Sequence, residues 1–122
     1  MHKIRAVRQD ASSLHKLWFN DSRCDLFVWR DADGDVVRFQ FCYGKPADEH
    51  VAEWRADGGF AHMRVDDGEA GPWTRMTPIF VRDGVFDPAR LAETLRAHAS
   101  EVPRDIVAFV SEKLLRWDGW PR

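Results

Sequence analysis

The densest group of side chains able to do chemistry in this 122-residue chain is His62, Asp66, Asp67 and Glu69, with Arg55 and Arg64 close by. An imidazole and carboxylates are donors that zinc accepts, and several oxygens suit a hard cation. The spacing argues against a shared ion. His62 and Asp66 are four residues apart, about 13 Å along an extended strand, and Asp67-Gly68-Glu69 is an ordinary turn composition. No metal is assigned. Trp73 follows in a Gly71-Pro72-Trp73 loop, where an exposed indole would mark a ligand pocket or a subunit interface. Arg55, His62, Arg64, Asp66, Asp67, Glu69 and Trp73 therefore stand as the candidate ligand-binding residues.

Other constellations carry less. Asp31-Ala32-Asp33-Gly34-Asp35 has the acidic alternation of a calcium loop. Counting from Asp31, however, Val36 and Cys42 stand where that loop needs glycine and glutamate. There is no G-x-S-x-G elbow, P-loop or G-x-G-x-x-G, so neither a catalytic residue nor a cofactor is assigned. Nucleophilic catalysis by Cys24 would need a histidine beside it, and the order of the chain brings none of His2, His15, His50, His62 or His98 to it. Glu49-His50 precedes a predicted strand and reads as exposed loop.

Charge narrows the partners. Eighteen basic against twenty acidic side chains leave a net charge of −2, so no global basic field captures nucleic acid or an anionic membrane. Lys3, Arg5, Arg8, Lys16 and Arg23 make the first part mildly basic, with Trp18-Phe19 available for stacking; that balance is small, and nucleic acid is not favoured as a partner. No apolar run is long enough to span a bilayer, and no hydrophobic signal region opens the chain. Two cysteines without C-x-x-C spacing fit reduced thiols. The expectation is a cytosolic protein.

The elements that must position these residues follow from periodicity. Lys3–Arg8 suits a short strand, and residues 12–19 suit either a short helix or a strand. Asp25–Arg30 and Asp35–Tyr43 flank a Gly34-containing connection and predict a hairpin. If Asp31 pairs with Asp35, the simplest register puts Phe27, Trp29, Val37, Phe39 and Phe41 on one core face and Cys24 opposite Cys42. Val51–Ala56 and Phe60–Asp66 around Asp57-Gly58-Gly59 predict a second hairpin. Its apolar face would gather Ala52, Trp54, Ala56, Ala61, Met63 and Val65, and its charged face Val51, Glu53, Arg55, His62, Arg64 and Asp66. Thr74–Arg82 reads as a last strand, at an edge or bulged because Pro78 cannot donate to a ladder. Asp87-Pro88 and Pro103 start two helices, with stripes at Leu91, Leu95 and Ala99 and at Ile106, Phe109, Val110, Leu114 and Trp117.

The fold class expected is α+β: one domain over residues 1–122, with an antiparallel meander of about five to six strands and two C-terminal helices packed on one face. Six tryptophans are many for this length, and Trp29, Trp54 and Trp117 are expected in the core. The function expected is a non-catalytic binding or protein-interaction module, with homodimer, small-molecule and protein partners open and no membrane partner. The alternative is a small enzyme or metal- or ligand-dependent domain with its site at His62 and the Asp66–Glu69 turn.

Overall fold

Alternating side chains and glycine-containing turns give a sheet in which each strand pairs with the next. The computed structural model describes residues 1–5, 7–9, 13–66, 79–82 and 87–117, with residues 65, 66 and 79–82 described by their backbone alone. The strands are β1 (His2–Lys3), β2 (His15–Asn20), β3 (Asp25–Arg30), β4 (Val36–Tyr43), β5 (His50–Arg55), β6 (Gly59–Asp66) and β7 (Ile79–Arg82). All pairs are antiparallel and the spatial order is the chain order. The result is a six-strand meander with the two-residue β1 added at one edge. Of residues 12–19, which suit either a helix or a strand, 15–19 are strand, within β2. Two helices follow, α1 (Pro88–His98) and α2 (Arg104–Arg116). The Asp87 side chain accepts from the Ala89 and Arg90 amides and caps α1. Pro103 is itself the cap residue of α2, one position before the first helical residue, and offers no side-chain bond there.

The first hairpin corrects the expected register. Asp31 and Asp35 do pair, and Gly34 takes φ +85°, a backbone shape that a side chain resists. Arg30 then pairs with Val36 but Trp29 with Arg38, so Val37 is an extra residue in β4. This bulge flips β3 relative to the expectation. Leu26 and Val28 face Phe41 and Phe39, while Phe27 and Trp29 face Gln40 and Arg38 on the other side. Cys42 consequently pairs with Asp25, not Cys24, and both thiols are free. The second hairpin is likewise in a different register. Trp54 pairs with Phe60 and Ala52 with His62, whereas Glu53 pairs with Ala61 and Val51 with Met63.

One face of the sheet therefore carries Leu17, Phe19, Leu26, Val28, Phe39, Phe41 and Ala52, all buried. They pack with Leu91, Ala92, Leu95, Val102, Ile106, Val110, Leu114 and Trp117 of the helical part. Phe109 closes the edge with its ring against Trp54, and Phe60 stacks on Trp117 at 4.8 Å. The opposite face is polar–aromatic. The Arg38 guanidinium lies 4.3 Å from the Trp29 ring centre and donates to Glu53 through Nε and Nη2. Asp25 accepts from Trp18 Nε1 and Asn20 Nδ2 and pairs with Lys45. Trp29 is thus buried, but under Arg38 and not in the helix-facing core; Trp73 and Trp120 lie outside the described residues. Among the described residues no helix is long and apolar enough to cross a membrane.

The register has a direct consequence for stability. Phe39→Ala should cost about 3–5 kcal/mol, as for a fully buried ring. Phe27→Ala, half-buried on the other face, should cost about 1–2 kcal/mol. Urea denaturation of both variants checks this, and equal losses would contradict the bulged register.

Candidate functional site

The pairings of β4 with β5 and of β5 with β6 turn two histidines toward the helices. Because Tyr43, His50 and His62 fall on the helix-facing side of β4, β5 and β6, their rings form a three-membered cluster. Ring centres are 5.7 Å apart for Tyr43–His50, 5.4 Å for His50–His62 and 6.0 Å for Tyr43–His62, all at shallow interplanar angles. The Tyr43 hydroxyl and His62 Nε2 share a short hydrogen bond. His62 is only 2% exposed and also meets the edge of Trp117. The connection from β4 to β5 bends away beside this cluster. Gly44 has φ +83°, and an added Cβ would run into the Asp48 carbonyl, so the turn fits glycine alone.

A pocket of about 560 Å³ opens between this cluster and α1. Tyr43, Gly44, Asp48, His50 and His62 line the sheet side, Arg23 and Cys24 the β2–β3 turn, and Asp87, Arg90, Leu91, Thr94 and His98 the helical side. The volume falls within the range usual for small-molecule sites. Its two carboxylates are engaged locally: Asp87 caps α1, and Asp48 lies 3.9 Å from His50 Nδ1. Neither Arg23 nor Arg90 has an ion-pair partner among the described residues.

At one end, α1 is tied to the β2–β3 turn. His98 Nδ1 lies 2.7 Å from Asp21 Oδ2. Asp21 Oδ1 accepts from the amides of Arg23 at 2.8 Å and Cys24 at 2.7 Å, which fixes the carboxylate in place. Partial burial alone would raise the Asp21 pKa. The hydrogen bonds from His98 and the two amides outweigh it, and the pKa drops from 3.8 to about 2. The Cys24 thiol goes the other way: burial, then the nearby Asp21 charge, push it up to about 12. Cys42 is also pushed up, mainly by burial. Neither thiol is a thiolate at neutral pH, which removes the main requirement for cysteine nucleophilic catalysis.

The residues expected from sequence are separated by the fold. His62 lines the pocket, but from the helix-facing side, not the charged face where its alternation placed it. Arg55 belongs to the opposite face with Glu53 and is exposed. Arg64 is exposed on β6, opposite His50. Asp66 ends β6 opposite Ile79, and its side chain, with Asp67, Glu69 and Trp73, lies outside the described residues. His50, read as exposed loop, is instead the first residue of β5 and half-buried in the pocket wall. The sequence pattern does not single out Asp21, Tyr43 or Arg90, and it offers Arg23 only as part of a mildly basic segment and His98 only as one of five histidines that Cys24 could meet. The available signal was the period-two run Phe39, Phe41, Tyr43, which already put Tyr43 on the core side. His98 had none, because it reaches Asp21 only through helix packing.

Comparison of the chain with protein-family models, with curated proteins and with solved structures finds no match.

The lowered Asp21 pKa sets a pH test. The unfolded carboxyl binds protons below about 3.8 while the folded one resists them until about 2, so this stabilisation is complete above that window and disappears as pH falls through it. Thermal melts followed by circular dichroism should fall across that window more steeply for the wild type than for Asp21→Asn. Parallel profiles would contradict the assignment.

Proposed function

We propose that the protein is a non-catalytic binding module for a small anionic molecule, a carboxylate or a phosphate, held in the pocket between the sheet and α1. The observation that carries this reading is the concentration of donors on one concave surface: the guanidinium groups of Arg23 and Arg90, without ion-pair partners among the described residues, beside three imidazoles. Charge-assisted hydrogen bonds to an anion are the strong kind. The half-buried rings of Tyr43 and His50 line the same wall and offer aromatic contact to a planar portion of the ligand. A protonated Cys24 argues against a thiolate enzyme at this place.

The protein-interaction and homodimer reading has less support. It needs a contiguous exposed apolar patch, and Leu115, at 51%, is the exposed large apolar side chain among the described residues. Light scattering tests it: a mass near 14.1 kDa counts against a homodimer, and twice that counts for one.

The binding reading is tested by thermal shift in the presence of EDTA with inorganic phosphate, citrate and a nucleoside monophosphate. A ligand that binds only the folded state raises the melting temperature by mass action. At least one probe should do so, and Arg90→Gln should weaken its binding about 10- to 100-fold, the worth of one charge-assisted hydrogen bond. Arg116→Gln, on the exposed side of α2, should change nothing. No shift with any probe, or a shift indifferent to Arg90→Gln, would overturn the reading.

A further inference from the structure

Asp21, Cys24 and His98 present a carboxylate oxygen, a sulfur and an imidazole nitrogen within 4.8 Å of one another. They come from distant parts of the chain: the first two from the Asp21-Ser22-Arg23-Cys24 turn between β2 and β3, the third from the last residue of α1. We infer that these three side chains form a site for a divalent metal of borderline softness, zinc by preference, with its remaining coordination position turned toward the pocket.

Several features support this beyond proximity. The donor set is mixed N, S and O, which suits zinc and cobalt and not calcium or magnesium. Tetrahedral zinc with bonds of 2.0–2.3 Å sets ligand separations of roughly 3.3–3.7 Å, so side-chain adjustments within the cluster suffice. The carboxylate is already oriented: Asp21 Oδ1 is held by the Arg23 and Cys24 amides, leaving Oδ2 directed at His98. Such outer support is what fixes a ligand's geometry at metal centres. Cys24 and His98 also line the pocket, so the site opens where a ligand would enter. Three protein ligands with an accessible fourth position is the arrangement of a zinc that receives a further ligand, not of a closed structural site.

The exchange balances simply. The metal ion takes the Cys24 sulfur as thiolate and the thiol proton leaves to solvent. Asp21 exchanges its hydrogen bond with His98 for a metal bond, and His98 binds as the neutral imidazole, the proton of its ligating nitrogen passing to the other ring nitrogen or to solvent. The Met1 ammonium, 3.7 Å from Asp21 Oδ2, is the competing cation; it keeps its separate bond to the His98 carbonyl. The carboxylates of half-buried Asp31 and exposed Asp33 and Asp35 differ in kind. Asp31 Oδ1 accepts from the Asp33 and Asp35 amides and serves the hairpin turn.

The inference stands apart from the anion reading, and the metal alone tests it. Full-length protein stripped with EDTA and desalted is titrated with Co²⁺, then with Zn²⁺ in competition. The expected result is one equivalent of Co²⁺ with a sulfur-to-metal charge-transfer band and intense visible bands of a four-coordinate ion, displaced by Zn²⁺. Cys24→Ser should abolish the charge-transfer band while Cys42→Ala retains it. Because Cys24 is buried, His98→Gln and Asp21→Asn carry the test as well: each should weaken Zn²⁺ binding at least about tenfold, since even outer-shell losses reach that size. Circular dichroism confirms that each variant is folded. Binding without a thiolate band, a band that survives Cys24→Ser, or an affinity unchanged in His98→Gln would overturn the inference. The cluster would then be a tertiary clamp only.

Discussion

The extra residue at Val37 is the constraint that decides which side of β3 faces the helices. A strand has only two faces, and one additional residue in β4 exchanges them for everything on one side of the bulge. With Val37 out of register, Leu26 and Val28 meet Phe41 and Phe39 under the helices, and Trp29 is left to stack beneath Arg38. The Val37 carbonyl is not wasted: it accepts from the Ala56 amide at 2.9 Å, which ties the bulge to the end of β5. From β4 onward the pairing runs without interruption. Phe39 therefore aligns with Trp54, Phe41 with Ala52, and Tyr43 with His50. His62 follows opposite Ala52.

A polar pocket at the margin of an apolar core is the outcome of that alignment. The helix-facing side is apolar at its centre and becomes aromatic and titratable toward Tyr43, where α1 passes over it. Burial then acts differently on different groups. It keeps the Cys24 and Cys42 thiols protonated, whereas the amides and imidazole around Asp21 hold its carboxylate charged. The Asp21 carboxylate, held by the Arg23 and Cys24 amides, and the His98 imidazole form the clamp that joins α1 to the sheet.

How much of this could be read from the chain differs by level. Turns and helix starts were legible because single residues dictate them: Gly34 by its left-handed backbone, and Asp87-Pro88 by capping and a fixed φ. The α+β meander with two C-terminal helices followed from their order. Strand faces were not legible, because Leu26-Phe27-Val28-Trp29 is apolar at every position and alternation gives no preference between its two sides. The β6 run has the same ambiguity, since Ala61 and Met63 compete with Phe60 for the core and His62 reads as polar. The site was legible only at His62. Its other members are joined by contacts such as Asp21–His98, across 77 residues, which no local pattern encodes.

The account rests on His62 pointing toward the helices, and nuclear Overhauser contacts of its ring protons test that most directly. Ring contacts to Tyr43, His50 and Trp117, together with cross-strand backbone contacts between Val28 and Phe39, are the result predicted. A His62 ring that contacts Glu53 and Arg55 instead, with Phe27 opposite Phe39, would contradict the register and with it the pocket.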